Sequence, residues 1–551
     1  MTNKEIAAQF NLFAALMELH GENSFKTKTY LTAYQSLRKL DRPLREMSQD
    51  EIAAIPGIGA SAASKIKELV TNGSLEPLEK LKEKTPFGIQ QLLSIKGMGP
   101  KKIRTIWDSL GVETPAELLY ACNENRLVKL PGFGLKTQED LSAKITYFLD
   151  SMHRYLFGVI ENDLLQFEER WKKTFPKNEL TWSGEVARKE PIISSIEAIV
   201  SPPVEIEDLT KLDDVEVIEE VGDNIFSIKY ADRYTIRCTN VAKKDKSEHW
   251  VRSTMSKPLL EKVLGSSTAI NDIEKLLSSG GYEGLPVELF DYENIENERP
   301  DFWSDLITEK DIKGVVHNHS TYSDGINTLE EMAQQVKDLG YAYFGICDHS
   351  QSAFYANGLS PERVLDQMDE IDRINKKMAP FVVLKGIESD ILNDGSLDYD
   401  EDILSRFELV VASIHSNLRM DLDRATNRLI KAIENPSTSI LGHATGRLLL
   451  ARPGYPIDYK KVIDACAANG VAIELNANPQ RMDMDYSWLS YCQEKGVWIA
   501  INPDAHSRSQ LGYMRYGVMS ARKGALKREN CLNALDLADF RKAIDRNGRF
   551  G

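Results

Sequence analysis

Apolar and polar positions change rhythm three times along the chain. Residues 1 to about 150 place apolar side chains at helical spacing, as in MTNKEIAAQFNLFAALMELHG at the start. IPGIG at 55–59, IKGMG at 95–99 and LPGFG at 130–134 interrupt this region, and each leads into a new helix. From about 155 to 300 the pattern is mixed; SSIEAIVSP, VEVIEEV and FSIKYADRYTIRCTNV read as strands between charged turns. NIENERPDFWSDLITEKD at 294–311 reads as polar, so 301–311 is expected to be a linker. From 312 the apolar runs KGVVHNHS, YFGICDHS, FVVLKGIESD, ELVVASIHS, SILGHATG, VAIELNAN and VWIAINPDAHS recur with helical segments between them. Their spacing of roughly thirty residues predicts β-α units closing into a barrel. The expected fold is therefore multidomain. A helical region at 1–88 and a second at 89–150 precede an α+β middle at 151–300, the linker, and an α/β barrel at 312–551.

Composition narrows the class. A hydrophobic content of 42% with 27% charged residues suits a soluble globular protein. No apolar run reaches the roughly 18–20 residues that a membrane span needs. The first helix has no basic segment before an unbroken apolar core, so no signal peptide is expected. Six scattered cysteines without a CxxC pair point to a reducing cytoplasm. The net charge of −15 argues against a generally basic surface, but residues 21–110 hold 15 Lys and Arg against 10 Asp and Glu. A basic front on an acidic chain suits a DNA grip confined to one region.

The candidate chemistry lies at the ends of the late apolar runs. Six of the nine histidines (His317, His319, His349, His415, His443 and His506) fall there. Asp324, Glu388 and Asp504 join them. In such barrels the strand ends converge on one rim, where catalytic residues collect. His317 and His319, read as an alternating strand, are expected on one face, and Asp504 and His506 repeat that spacing. Imidazole plus carboxylate, without thiolate, selects Zn, Mn or Fe, and nine ligands suit two or three ions. Closely spaced divalent ions activate water, polarise a phosphoryl oxygen and stabilise a leaving oxygen.

These residues resemble the PHP (polymerase and histidinol phosphatase) superfamily of metal-dependent phosphoesterases over about 312–551. H-x-H-S-x-x-S-D-G, D-H-S, G-x-E, S-x-H-S, H-x-T-G-R and D-A-H-S are all present. The resemblance implies a distorted seven-stranded barrel. It also implies one metal on His317, His319, Glu388 and Asp504, and a second on Glu388, His415 and His443. A third would fall to Asp324, His349 and His506. Arg447 and Asn478 are candidates for phosphate contact, with a salt bridge or a turn as the alternative.

IPGIG and IKGMG resemble helix-hairpin-helix motifs, in which Gly57, Gly59, Gly97 and Gly99 allow close approach and helix N-termini grip a phosphate. Lys101 and Lys102 follow the second. With SFKTKTYLTAYQSL (24–37) and EPLEKLKE (76–83), the chain resembles a bacterial family X DNA polymerase: helix-hairpin-helix modules, a nucleotidyltransferase palm and a PHP domain. Lys65 falls where related enzymes carry a Schiff-base lysine for abasic-site cleavage, although Ser61 replaces a phosphate-binding lysine.

The palm departs from this family. In SGEVARKEPIISSIEAIV (183–200) Gly184 is kept, but Glu185 replaces a Ser and Ala187 an Arg. Ser195 and Glu197 stand for the two metal-binding aspartates, and Arg237 for the third. Two-metal transfer needs carboxylates, so palm Mg²⁺ and polymerase activity are expected to be absent. The implied function is a DNA-binding PHP phosphoesterase acting as a 3′-5′ exonuclease or 3′-end processor in repair. Its DNA would be nicked, gapped or 3′-recessed, with no membrane partner. The alternatives are an active gap-filling polymerase with PHP proofreading, a phosphatase on a small monoester, and a non-catalytic DNA-binding scaffold.

Overall fold

The computed structural model describes residues 3–37, 40, 42–95, 97–150, 154–221, 224–231, 233–264, 272–293, 295, 301–546 and 548. The chain forms two compact units, 1–148 and 149–551. The boundaries expected near 88 and 300 fall inside them.

The first unit is helical among its described residues. Helix Asn3–Leu19 packs on Ser24–Leu37 and on Pro100–Leu110, so it ties together the two regions read as separate. His20 bridges the same halves: its Nε2 lies 2.7 Å from Thr85 Oγ1, and its ring meets Trp107 edge-on. Each glycine pattern is a tight turn. Gly57, Gly97 and Gly132 have φ of 89°, 92° and 83°, left-handed values that side chains resist. Gly59 and Gly99 begin helices Ala60–Asn72 and Pro100–Leu110 from extended backbone. Lys96, inside the second pattern, lies outside the described residues.

In the second unit the middle region has a short pair, β1 (Tyr155–Leu156) with β3 (Ile192–Ile193), and a five-stranded sheet. The sheet comprises β2 (Glu179–Ser183), β4 (Ile196–Ser201), β5 (Val215–Val221), β6 (Ile225–Tyr230) and β7 (Tyr234–Asn240). Its order is β2-β4-β7-β6-β5, with β4 and β7 parallel and the other pairs antiparallel. The alternation in IFSIKY and YTIRCTN sends Phe226, Ile228, Ile236 and Cys238 into a core against helix Phe157–Thr174. Met482, Tyr516 and Met519 of the barrel join that same core. The stretch expected to be a linker is packed as well. Phe302, Leu306 and Ile307 are buried, because the polar residues around them face out while the apolar ones point in. Residues 294 and 296–300 of that stretch lie outside the described residues.

The barrel has seven parallel strands in sequential order. They are β8 (Gly314–Val315), β9 (Tyr343–Ile346), β10 (Val382–Asp390), β11 (Leu409–Ser413), β12 (Ile440–Leu441), β13 (Ala472–Asn476) and β14 (Ile499–Asn502). Burial on both faces explains why these runs read as continuously apolar. Val316, Leu384, Leu409, Val411, Ile440, Ala472 and Ala500 form the inner layer. Helix Leu537–Ile544 stops the far end, with Phe540 4.9 Å from the Tyr343 ring. Among the described residues no strand fills the gap between β8 and β14, and Asn533 bridges it there. Its backbone O accepts from Lys313 N at 2.8 Å, its Nδ2 donates to Gly314 O and its Oδ1 accepts from Ile501 N. At the opposite end the gap closes by itself, through an Asn318–Ala505 bridge and His319 N donating to Ala505 O at 2.9 Å.

Lys523 joins the middle region to the barrel. Its side chain is fully buried, 3.1 Å from both Glu190 and Asp291. Removing one partner of a buried ion network strands the others. Lys523→Ala should therefore destabilise the second unit by about 3 kcal/mol. Thermal unfolding followed by circular dichroism checks this, and an unchanged midpoint would show that Arg188 alone neutralises the two carboxylates.

Candidate metal centre

Strand ends place the nine predicted ligands at one end of the barrel. His317, His415, His443 and Asp504 each follow the last residue of a strand by two positions, and His349 by three. Glu388 lies within β10, in register with Val411. The alternation expected to align His317 with His319 does not operate, because β8 ends at Val315. His317 instead has φ 59° and Asp504 φ 51°, so both leave their strands through left-handed turns. Those turns re-aim the side chains inward, and such backbone is costly enough to persist only where its surroundings demand it.

The Glu388 carboxylate sits at the centre. Its Oε1 lies 3.2 Å from His317 Nε2, 3.1 Å from His415 Nε2 and 3.0 Å from His443 Nε2. Its Oε2 is 2.8 Å from His349 Nδ1 and 3.7 Å from His319 Nε2. Asp504 Oδ1 is 3.0 Å from His319 Nε2, while Asp324 lies 3.3 Å from His506 Nε2 and 3.6 Å from His349 Nε2. Eight of the nine are buried, and the His415 side chain at the rim is 6% exposed.

Four ligand sets within this unit have their atoms mutually within 4.8 Å: His319, Asp324, His349 and His506; His317, His443 and Asp504; His317, His319 and Glu388; His349, Glu388 and His415. His319 thus faces the Asp324 side as well as Glu388. His317 Nε2, His319 Nδ1, both nitrogens of His349, His443 Nδ1, Asp324 Oδ2 and Glu388 Oε2 are buried and make no hydrogen bond. Close but misaligned, they are spaced as donors around shared cations, which would remove the cost of about 1–3 kcal/mol for each unbonded buried group. Burial disfavours the Glu388 carboxylate, yet the imidazoles of His415, His317 and His349 hold its pKa well below the usual range. Burial and the neighbouring His506 and His349 push His319 down to about 3. Burial also opposes charge on His349, but Asp324 and Glu388 outweigh it and raise it to about 10. Burial pushes the Cys347 thiol up to about 12, and it belongs to none of these ligand sets.

The residues behind the ligands escaped the motif reading. Glu474 on β13 accepts from His317 Nδ1 at 2.5 Å and from His443 N at 3.1 Å, fixing which His317 nitrogen faces inward. Asp390 does the same for His415 Nδ1 at 2.7 Å. Arg481 lies 3.6 Å from Asp504. A signal for two of them was available: Glu474 and Asp390 are carboxylates inside apolar strand runs, where an unpaired charge is rare. Arg447, considered for phosphate contact, is held by Asp485 at 2.5 Å and by the carbonyls of Arg481 and Met482. Asn478 is a turn residue whose Oδ1 accepts from Gln480 N.

The palm position is built differently. Glu197 and Arg237 are register partners on the parallel pair β4 and β7. Ser195 Oγ donates to Glu197 Oε1 at 3.1 Å, and Glu185 accepts from the backbone N of Ser194 and Ser195. A cleft of about 290 Å³ over this sheet is lined by Glu197, Arg237, Thr239, His249 and Ser253. Among the described residues Glu197 is the one carboxylate lining it, and the guanidinium beside it opposes a cation. In the first unit, Lys65 lines a cavity of about 550 Å³ together with Lys26, Lys80, Lys84, Ser61 and Tyr30. Lys101 and Lys102 are exposed at the start of their helix.

Comparisons with known proteins agree with this layout. Residues 1–75 match the helix-hairpin-helix domain, 89–143 the SAM-like helix-hairpin-helix tandem and 316–506 the PHP domain. The DNA polymerase/3′-5′ exonuclease PolX of Bacillus subtilis (strain 168) is 32% identical over 572 residues, covering 99% of this chain and 100% of that protein. A probable phosphatase YcdX of Escherichia coli O81 (strain ED1a) is 27% identical over 240 residues, 41% of this chain and 85% of the relative. A probable phosphatase of Caldanaerobacter subterraneus is 30% identical over 196 residues, covering 31% of this chain and 74% of its own.

Two measurements probe the centre. A ligating imidazole must be neutral, so metal uptake near pH 7 should expel the proton that Asp324 and Glu388 hold on His349, and affinity should weaken as pH falls. Calorimetric titration of metal-stripped protein in buffers of different ionisation enthalpy reads this, and identical heats would count against His349 as a ligand. Glu474→Gln should weaken metal binding about 10–100-fold by removing the anionic partner of His317. Chelator competition checks it.

Proposed function

The chain belongs to the bacterial family X DNA polymerases that end in a PHP domain, and from that premise we propose that it hydrolyses DNA phosphodiesters at the histidine-rich centre, from a 3′ end, and no longer polymerises. One observation carries this reading. The barrel gathers nine donor groups with Glu388 at their centre, whereas Arg237 stands beside Glu197 in the palm. The first arrangement suits two or three of Zn²⁺, Mn²⁺ or Fe²⁺; the second opposes Mg²⁺. Bound divalent ions supply water activation and neutralise charge on the phosphoryl group.

The chain's own residues do the rest. Glu388 and Asp504 remain ionised because neighbouring imidazoles outweigh their burial. Glu474 and Asp390 hold His317 and His415 in one orientation, so no reorganisation is needed when substrate arrives. Arg481 adds a fixed positive charge beside Asp504 that favours an anionic ester. The helix-hairpin-helix turns, with Gly57, Gly59, Gly97 and Gly99 and the exposed Lys101 and Lys102, suit a grip on duplex phosphates that leaves a 3′ end for hydrolysis.

The test is a Mn²⁺-supplemented digest of 3′-recessed and single-stranded oligonucleotides, with a small monoester and a dNTP lane beside it. Wild type should shorten DNA from its 3′ end, and His317→Ala should fall by at least about 100-fold. Primer extension would overturn loss of the polymerase, and cleavage of the monoester alone would transfer the reading to a phosphatase.

A second activity has its own support. Lys65 is half-buried in a cavity that it lines with Lys26, Lys80 and Lys84, a setting that suits Schiff-base formation at an abasic site. Borohydride should trap wild type, but not Lys65→Ala, on abasic DNA.

A further inference from the structure

The loop that follows His349 presents an aromatic side chain beside the metal centre. Phe354 is 88% exposed, while its neighbours Ala353 and Ala356 are fully buried. Single exposed apolar residues are ordinary on protein surfaces. This one differs in how firmly its loop is held and in what lies next to it.

The loop is braced at both ends. Leu359 N donates to His349 O at 2.9 Å, and Gly358 N to Ala353 O at 3.1 Å. A Cβ on Gly358 would fall 1.8 Å from Ser350 O, so the loop closes on itself. Ser352 N donates to Asp398 at 2.7 Å, Ser352 Oγ to Asp390 at 3.0 Å and Asn357 Nδ2 to Tyr322 O at 3.0 Å. Phe354 is thus exposed on a fixed loop. Next to it, the Tyr355 ring lies 6.2 Å from the His349 ring and 6.5 Å from that of His415. Phe354 leaves the loop one residue before the ring that faces those ligands, and adjacent Cα atoms are about 3.8 Å apart. Across the same subset, Ile326 is 55% exposed two residues past Asp324, and its N donates to His506 O at 2.9 Å.

Resting on the reading of this centre as a phosphodiesterase, we propose that Phe354 is a stacking platform for the 3′-terminal nucleobase, so that the centre selects an unpaired, base-bearing end over an ester without a base. A rigid exposed ring held beside a phosphate-binding site suits the π-face that every nucleobase offers, and such stacking tolerates any sequence. A protein surface could also cover Phe354, and the experiment separates that outcome.

The experiment compares two oligonucleotides, one ending in 3′-thymidine and the other in a 3′-abasic residue, with wild type, Phe354→Ala and Phe354→Trp in Mn²⁺. Wild type should show a KM about tenfold lower for the thymidine end. Phe354→Ala should lose that preference through KM alone, with kcat on the abasic end unchanged, and Phe354→Trp should keep it. If Phe354→Ala retains the base preference, or slows both substrates equally, the platform is overturned while the hydrolytic reading stands; a protein-docking role predicts the first of these. If wild type cleaves neither substrate, the hydrolytic reading fails and this inference fails with it.

Discussion

The Glu388 carboxylate facing imidazoles from four other strand ends is the contact on which the barrel's chemistry depends. A carboxylate buried this deeply is tolerated only if positive charge surrounds it. The imidazoles of His317, His349, His415 and His443 are supplied by β8, β9, β11 and β12, so no single element builds the centre. Parallel strands make this possible, because their C-terminal ends all point to one side. Asn533 contributes from a distance: by satisfying backbone groups in the gap between β8 and β14, it lets seven strands enclose a core while the other end closes over the ligands.

The two candidate catalytic regions of the second unit obey opposite electrostatics. Around Glu388 the imidazoles favour deprotonated carboxylates and leave ligand atoms without hydrogen bonds. In the palm, Ser195, Glu197 and Glu185 satisfy one another locally, and Arg188 is engaged by Glu190 and Thr254 O. The scaffold nonetheless persists, since the sheet shares its core with Met482, Tyr516 and Met519 of the barrel. Retaining the palm fold thus serves barrel packing whether or not nucleotidyl transfer survives.

The palm strands, the helical front and the barrel were legible because each follows a local rule: alternation, helical period, or doubly buried apolar runs. The packing of 301–311 was not. Its apolar residues are few and widely spaced, and only neighbouring elements make Phe302, Leu306 and Ile307 part of a core. The change from helical period to alternation put a boundary at 150, beside the division at 148, whereas contacts between distant helices leave no periodic trace.

At the site, the chain's own residues determined which chemistry is possible: histidines and carboxylates at strand ends, no thiolate pair, and, in the middle sheet, a guanidinium at Arg237 beside Glu197. Tertiary structure decided how those residues meet. Strand alternation does not align His317 with His319; left-handed turns at His317 and Asp504 aim them, and backbone torsion is set by the surrounding fold. Glu474 and Asp390 acquired their roles, and Arg447 its salt bridge to Asp485, through residues 25 to 157 positions away. Donor type is a local property of a side chain, whereas orientation and pairing depend on what the folded chain places opposite it.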